Sequence, residues 1–125
     1  MKYRRLFICL LSIFLLVPSA SAFAQAKKDT IRIGVFLPMT GGVASYGQME
    51  WAGIKIARDM KPTVLGKEVE LFLVDEKSDR IEAANAVDRL ISKNKVHALI
   101  GSSTSSNTMA GAAIVKSNPL RTGIE

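Results

Sequence analysis

The residues best equipped for chemistry lie in one stretch, Gly101-Ser102-Ser103-Thr104-Ser105-Ser106-Asn107-Thr108. It offers hydroxyls, an amide and a glycine, with no Lys, Arg or His. A short apolar run, Val96 to Ile100, precedes it, and an Ala-rich segment, Met109 to Lys116, follows. Strand, glycine, hydroxyl cluster and helix is the layout of an anion site. The first turn of a helix leaves backbone N–H groups without partners, and the helix dipole adds partial positive charge there. A carboxylate or phosphate docked at that end takes hydrogen bonds from those N–H groups and from the hydroxyls. With no acid–base group in the loop, such a site binds a small anion and releases it unchanged. The competing reading is that Ser or Thr here only caps the helix.

Other positions carry two readings each. Tyr46 stands at the start of the first predicted helix. Its ring either packs against an apolar ligand group or covers the helix end. Gly41 and Gly42 either let the backbone approach a ligand or serve a turn that needs positive φ. Asp75 ends the second predicted strand, where dinucleotide enzymes place a ribose-binding acid. The glycine fingerprint is missing, so a solvated loop acid is expected instead. His97 is the single histidine, with no Cys or acid at metal-ligand spacing, so a structural role is expected. No Gly-Lys-Ser/Thr marks a P-loop and no G-x-S-x-G marks a nucleophile elbow. Trp51 falls off the expected inner face of the first helix, and partial burial and a contact surface both remain open. These residues predict a binding protein without metal or cofactor, not an enzyme.

The elements that must position these residues read β-α-β-α-β-α. The first strand is Ile31 to Leu37, followed by the loop Pro38 to Gly47. A helix from Ser45 to Met60 has Met49, Ala52, Gly53, Ile56, Ala57 and Met60 on one face at helical spacing. Lys61-Pro62 stops it, and Val64 to Lys67 makes a turn. The second strand, Glu68 to Val74, leads into the acidic loop Asp75 to Asp79. The second helix, Arg80 to Lys93, takes Asp79 as N-cap. Its inner stripe is Ile81, Ala84, Val87 and Ile91, with Ala83 and Leu90 beside it. The third strand is Val96 to Ile100, and a third helix runs to about Lys116. This order predicts an α/β fold, a doubly wound parallel sheet with helices on both faces. Ligands of such sheets bind outside the carboxyl ends of the strands, where the winding reverses. A strand order 2-1-3 selects the loops Pro38 to Gly47 and Gly101 to Thr108, the two richest in glycine and hydroxyls.

The first 24 residues predict a signal peptide rather than part of the fold. Met1-Lys2-Tyr3-Arg4-Arg5 is basic, Leu6 to Val17 is apolar, and Ala22-Phe23-Ala24 gives the small-x-small cleavage pattern, so the expected cut follows Ala24. The apolar run is too short for a membrane anchor. Cys9, the only cysteine of the 125 residues, lies inside it. Lys2, Arg4 and Arg5 would leave with it and no acid would, so the net charge of +6 falls by three. No basic stripe then remains, and nucleic acid is not an expected partner. A chain without Cys must hold together by its core.

Taken together, IRIGVFLPMTGGVASYGQMEWAGIKIARDM and VELFLVDEKSDRIEAANAVDRLISKNKVHALIGSSTSS resemble the leucine/isoleucine/valine-binding family. These are type I periplasmic solute-binding proteins of branched-chain amino acid ABC transporters. The matching pattern is a strand, P-x-T-G-x-x-A-x-Y-G, a helix with a mid-helix Gly, and a strand ending in D-x-x-x-D. An A-x-x-A-x-x-x-L-I helix and V-x-x-L-I-G before Ser complete it. The resemblance implies that Ser105 and backbone N–H groups hold a ligand carboxylate, with Ser103 and Thr104 lining the pocket. It implies that Tyr46 touches the ligand side chain. The partners implied are a small amino acid and a membrane permease, in the periplasm, with no span left after signal cleavage. Some relatives tie the second-strand loop to the hydroxyl loop by a disulfide. Ser78 and Thr104 stand at those positions here. The family has two lobes, so residues 25–125 are expected to be an incomplete first lobe from a truncated chain, and residues 117–125 a tail that departs from the family pattern. The alternatives are a small nucleotide-binding α/β enzyme and a single-lobe sensory or interaction module.

Overall fold

The structure is a computed structural model that describes residues 29–120. The expected signal peptide with Cys9, and residues 121–125 of the expected tail, lie outside the described residues. In chain order the elements are β1 (Thr30–Leu37), α1 (Ala44–Met60), β2 (Thr63–Val64), β3 (Lys67–Asp75), α2 (Arg80–Ser92), β4 (Ala98–Ile100) and α3 (Ser105–Ser117). The sheet order is β2-β3-β1-β4. β1 lies parallel to β3, from Thr30 opposite Glu68 to Leu37 opposite Asp75, and parallel to β4 at Ile33 to Val35. The doubly wound sheet and the 2-1-3 order of its three parallel strands are therefore present. β2 adds a short antiparallel hairpin, closed by Leu65 and Gly66 with φ of 52° and 73°. The sequence predicts only a turn over Val64 to Lys67, and the structure adds the strand pairing of Thr63 with Glu68 and Val64 with Lys67.

Successive residues of a strand face opposite sides of the sheet. Phe36 points into a core of Ala83, Ala86, Val87, Leu90, Ile91 and Val96, against α2 and α3. Leu37 faces the other side, toward Ile54 and Ala57 of α1. Asp79 caps α2 as expected, its Oδ1 accepting from the N–H of Ile81 and Glu82 at 2.7 and 3.0 Å. The inner stripe of α2 is rotated from the expected one: Ala86 is buried and Ile81 is exposed. β4 is shorter than expected. Val96 plugs the core, and the ladder begins at Ala98.

The inner face of α1 differs most. Met49, Ile56 and Met60 stand in solvent, with Met60 82 % exposed. Gly47 is buried, while Trp51 and Ile54 are half-buried, at the i, i+4, i+7 spacing of one face. A Cβ on Gly47 would lie 2.2 Å from the Pro38 carbonyl oxygen, so glycine is what lets the helix sit here. That close approach fixes the rotation of α1. Trp51 therefore lies on the inner face, not off it, and Lys55 Nζ stands 5.8 Å from its ring centre.

Candidate functional site

Three loops meet at the carboxyl ends of β1, β3 and β4, and two adjacent acids at the end of β3 hold them. Alternation along the strand sends the two carboxylates in different directions. Asp75 turns to the first loop. Its Oδ1 accepts from the N–H of Met39, Thr40 and Lys77 at 2.9, 3.2 and 2.8 Å, and its Oδ2 accepts from the Thr40 hydroxyl at 2.7 Å. Burial pushes the Asp75 carboxyl up, but the Thr40 hydroxyl and these three N–H groups outweigh it and hold the group below its ordinary value. Asp75 is thus a clasp and not the solvated loop acid expected. The reason is the pair of unspent N–H groups in the turn after Pro38, which a nearby carboxylate satisfies.

Ser78 completes the clasp. Its hydroxyl donates to Thr40 O at 2.9 Å and accepts from the Val43 N–H at 3.2 Å. Gly41 sits against it with φ of 89°, so the turn reading of that glycine holds. Lys77 and Ser78 both adopt positive φ, 55° and 58°. Two consecutive non-glycine residues in that region are strained.

Glu76 turns to the hydroxyl loop and is fully buried, 0 % exposed. Its Oε1 accepts from the Ser102 hydroxyl at 2.7 Å and from Asn107 Nδ2 at 2.8 Å, and its Oε2 has no partner. Here the second-strand loop and the hydroxyl loop are tied by hydrogen bonds, while Ser78 serves the first loop. Glu76 and Asn107 escaped the sequence reading. The readable signal was a pair of acids at a strand end, one of which must turn toward the neighbouring strand's loop.

The four residues expected to bind ligand are placed differently from one another. Ser105, the first residue of α3, is exposed, and its hydroxyl makes no hydrogen bond among the described residues. Thr104 precedes it with extended backbone and makes no side-chain cap; its hydroxyl oxygen is buried without a partner. The first turn of α3 holds no acid. Its leading N–H groups are therefore unspent by side chains, so the simple capping reading does not describe this helix start. Ser103 donates to Glu50 Oε2 at 2.7 Å, which joins the loop to α1. Tyr46, 59 % exposed, is one turn before Glu50 and shares its face of α1. The Ser103–Glu50 bond thus brings the Tyr46 face toward the hydroxyl loop.

Beside the loop, Leu37, Gly53, Ile54, Ala57 and Ile100 line an apolar groove of about 460 Å³. A larger depression, about 770 Å³, lies at the opposite ends of the strands and mixes Arg32, Lys55 and Lys93 with Glu68 and Glu70. His97 is structural: its Nδ1 accepts from the Arg32 N–H at 3.0 Å and its own N–H donates to Arg32 O at 2.8 Å. No cluster of metal-ligating side chains occurs among the described residues. None of their helices is long and apolar enough to cross a membrane.

Comparison with known proteins gives the family. A family model described as periplasmic binding protein matches residues 30–120. Among solved structures, the leucine binding protein LivK of Thermotoga maritima is similar, with TM-score 0.70 and 50% identity over 73% of this chain. The branched-chain amino acid substrate binding protein LivJ of Streptococcus pneumoniae, solved with isoleucine, gives 0.67 and 33% over 71%. A solute binding protein of an ABC transporter from Rhodopseudomonas palustris, solved with 3,4-dihydroxybenzoic acid, gives 0.68 and 30% over 71%. The chain spans 26%, 26% and 25% of the length of those three proteins.

Proposed function

Since the chain belongs to the periplasmic binding protein family, we propose that it is the solute-binding component of an ABC transporter and captures a small carboxylate, an amino acid of the branched-chain type first of all. The observation that carries this reading is the start of α3, uncapped by any side chain and fronted by the free Ser105 hydroxyl. Unspent N–H groups at a helix start, with a hydroxyl beside them, suit a carboxylate. Isoleucine and 3,4-dihydroxybenzoic acid, the ligands of two relatives, share a carboxylate and little else. In this reading Ser105 and the first N–H groups of α3 take the carboxylate. Tyr46 packs on the ligand's apolar part. Ser103 and Thr104 line the site by shaping it, Ser103 through its bond to Glu50. The protein acts in the periplasm, reached through the signal peptide over residues 1–24, and hands its solute to a membrane permease.

A thermal-shift series tests the reading, because a ligand that binds only the folded state raises the melting point with concentration. Isoleucine and 3,4-dihydroxybenzoate are expected to raise it, and the amine that lacks only isoleucine's carboxylate is not. An equal rise with the amine, or a rise with ATP alone, would sink the proposal.

A further inference from the structure

The geometry points to Glu76 as a positioning residue for the hydroxyl loop: it fixes Ser102 and Asn107, and so sets where the first N–H groups of α3 point. The backbone of Glu76 is anchored twice, its N–H donating to Leu37 O at 3.0 Å and its carbonyl accepting from the Asp79 N–H at 2.9 Å. Its side chain therefore reaches out from a fixed base. Oε1 gathers two donors that flank the stretch Ser103 to Ser106, one at the start of the loop and one in the first turn of α3. Held at both sides, the stretch between them has few ways to move.

Packing alone does not account for the group. A buried carboxylate is costly unless it is hydrogen-bonded, and one oxygen of this one, Oε2, has no partner. What the group gains there is the pair of bonds at Oε1, which tie the start of the loop to the first turn of α3. Asn107 shows the consequence. An Asn near a helix start commonly bonds local backbone, but here its amide is drawn beneath the helix to Glu76. Asn107 is thus kept from spending itself on the helix end, and the N–H groups stay open outward. Thr108 braces the same turn, its hydroxyl accepting from the Ser102 N–H at 3.0 Å.

This assignment rests on reading the loop as the place of a carboxylate, but its first test needs no ligand. Amide hydrogen exchange is measured on the full chain and on Glu76→Ala and Glu76→Gln. Glu76→Ala is expected to speed exchange of the Ser102 and Thr108 amides, both hydrogen-bonded in the folded loop, about tenfold or more while the β1 and α2 amides hold their rates. Glu76→Gln, which keeps an acceptor oxygen, is expected to restore most of the protection. Unchanged loop exchange, or a uniform rise across β1 and α2, would overturn the assignment. Should Glu76→Ala not fold, Ser102→Ala decides, because it removes one of the two donors to Oε1: it is expected to speed exchange of the Thr108 amide, and no change there would overturn the assignment. Isoleucine separates the two readings. It is expected to slow loop exchange in the wild type and much less in Glu76→Ala. If it slows neither while Glu76→Ala still loosens the loop, the carboxylate reading fails and the positioning role stands.

Discussion

On one face of the sheet, Phe36, Val87, Leu90 and Val96 are closed under α2 and α3. On the other, Leu37 meets a helix whose Met49, Ile56 and Met60 lie in the open. The two halves of the candidate site inherit this difference. The hydroxyl loop leads into α3, which packs on the closed face, and Glu76 ties it to β3 from beneath. Tyr46 rides on α1, which is held mainly at its start. There Gly47 sits on Pro38, Gln48 Nε2 donates to Met39 O at 3.2 Å, and Ser103 reaches Glu50. The half proposed to take a carboxylate is thus built on a rigid base, and the half proposed to meet the ligand's side chain on a helix fixed near one end. The strong and general interaction of a carboxylate with helix N–H groups gains from preorganisation, whereas contact with ligands of varied shape does not need it to the same degree.

The largest expected effect breaks the comparison directly. Leu90→Ala empties a fully buried position and should cost about 2–5 kcal/mol of unfolding free energy. Met60→Ala removes a side chain of similar size from the open face and should stay within about 0.5 kcal/mol. Urea denaturation of both variants checks this. Comparable losses would mean that the α1 face is as well packed as the other.

Two glycines of α1 sharpen it next. Gly47→Ala places a Cβ against the Pro38 carbonyl and should cost about 1–3 kcal/mol, because the backbone oxygen cannot swing aside. Gly53→Ala meets nothing within 4 Å. It should stabilise the helix by up to about 1 kcal/mol through propensity alone. The pair differs in sign on one helix, so melting points read in parallel are enough. A loss at Gly53 would place an undetected neighbour on the open face.

Much of this arrangement was legible in the sequence, and the misses share a cause. Apolar runs, Gly and Pro punctuation and the Asp79 cap marked the alternating strands and helices, because each is a local signal. Which face of α1 looks inward was not legible from periodicity. Met49, Ile56 and Met60 are apolar at helical spacing, but the rotation is set by Gly47 meeting Pro38, a contact that no hydrophobic count reports. Ile81 misled in the same way at the first turn of α2. In the site, the hydroxyl cluster showed where to look, since helix starts after glycine are recognisable from composition. What each hydroxyl does was not legible. Ser103 and Ser105 are alike in sequence, and only the placement of Glu50 separates the bound one from the free one. The roles of Asp75 and Glu76 depend on loops 26 to 36 residues away along the chain.

The smallest effect concerns the Asp75 clasp and is confined to acid. The hydrogen bonds to Asp75 hold its folded pKa below the ordinary 3.8. As pH falls below that value, the unfolded chain takes up a proton at this position before the folded protein does. The stability that Asp75 contributes is therefore present above the unfolded pKa and is lost as pH drops through the folded one. Asn at the same position can still accept the N–H groups of Met39, Thr40 and Lys77 through its oxygen, but it does not titrate. Asp75→Asn should thus be less stable than the wild type at neutral pH, and the gap should close as pH falls below about 4. Asp29, whose carboxyl is also held low by Lys67, has the same sign in both proteins and cancels from their difference. Denaturation midpoints of the pair between neutral pH and acid give the answer. A gap independent of pH would mean that the clasp works by shape alone, and that the first loop owes nothing to the charge beneath it.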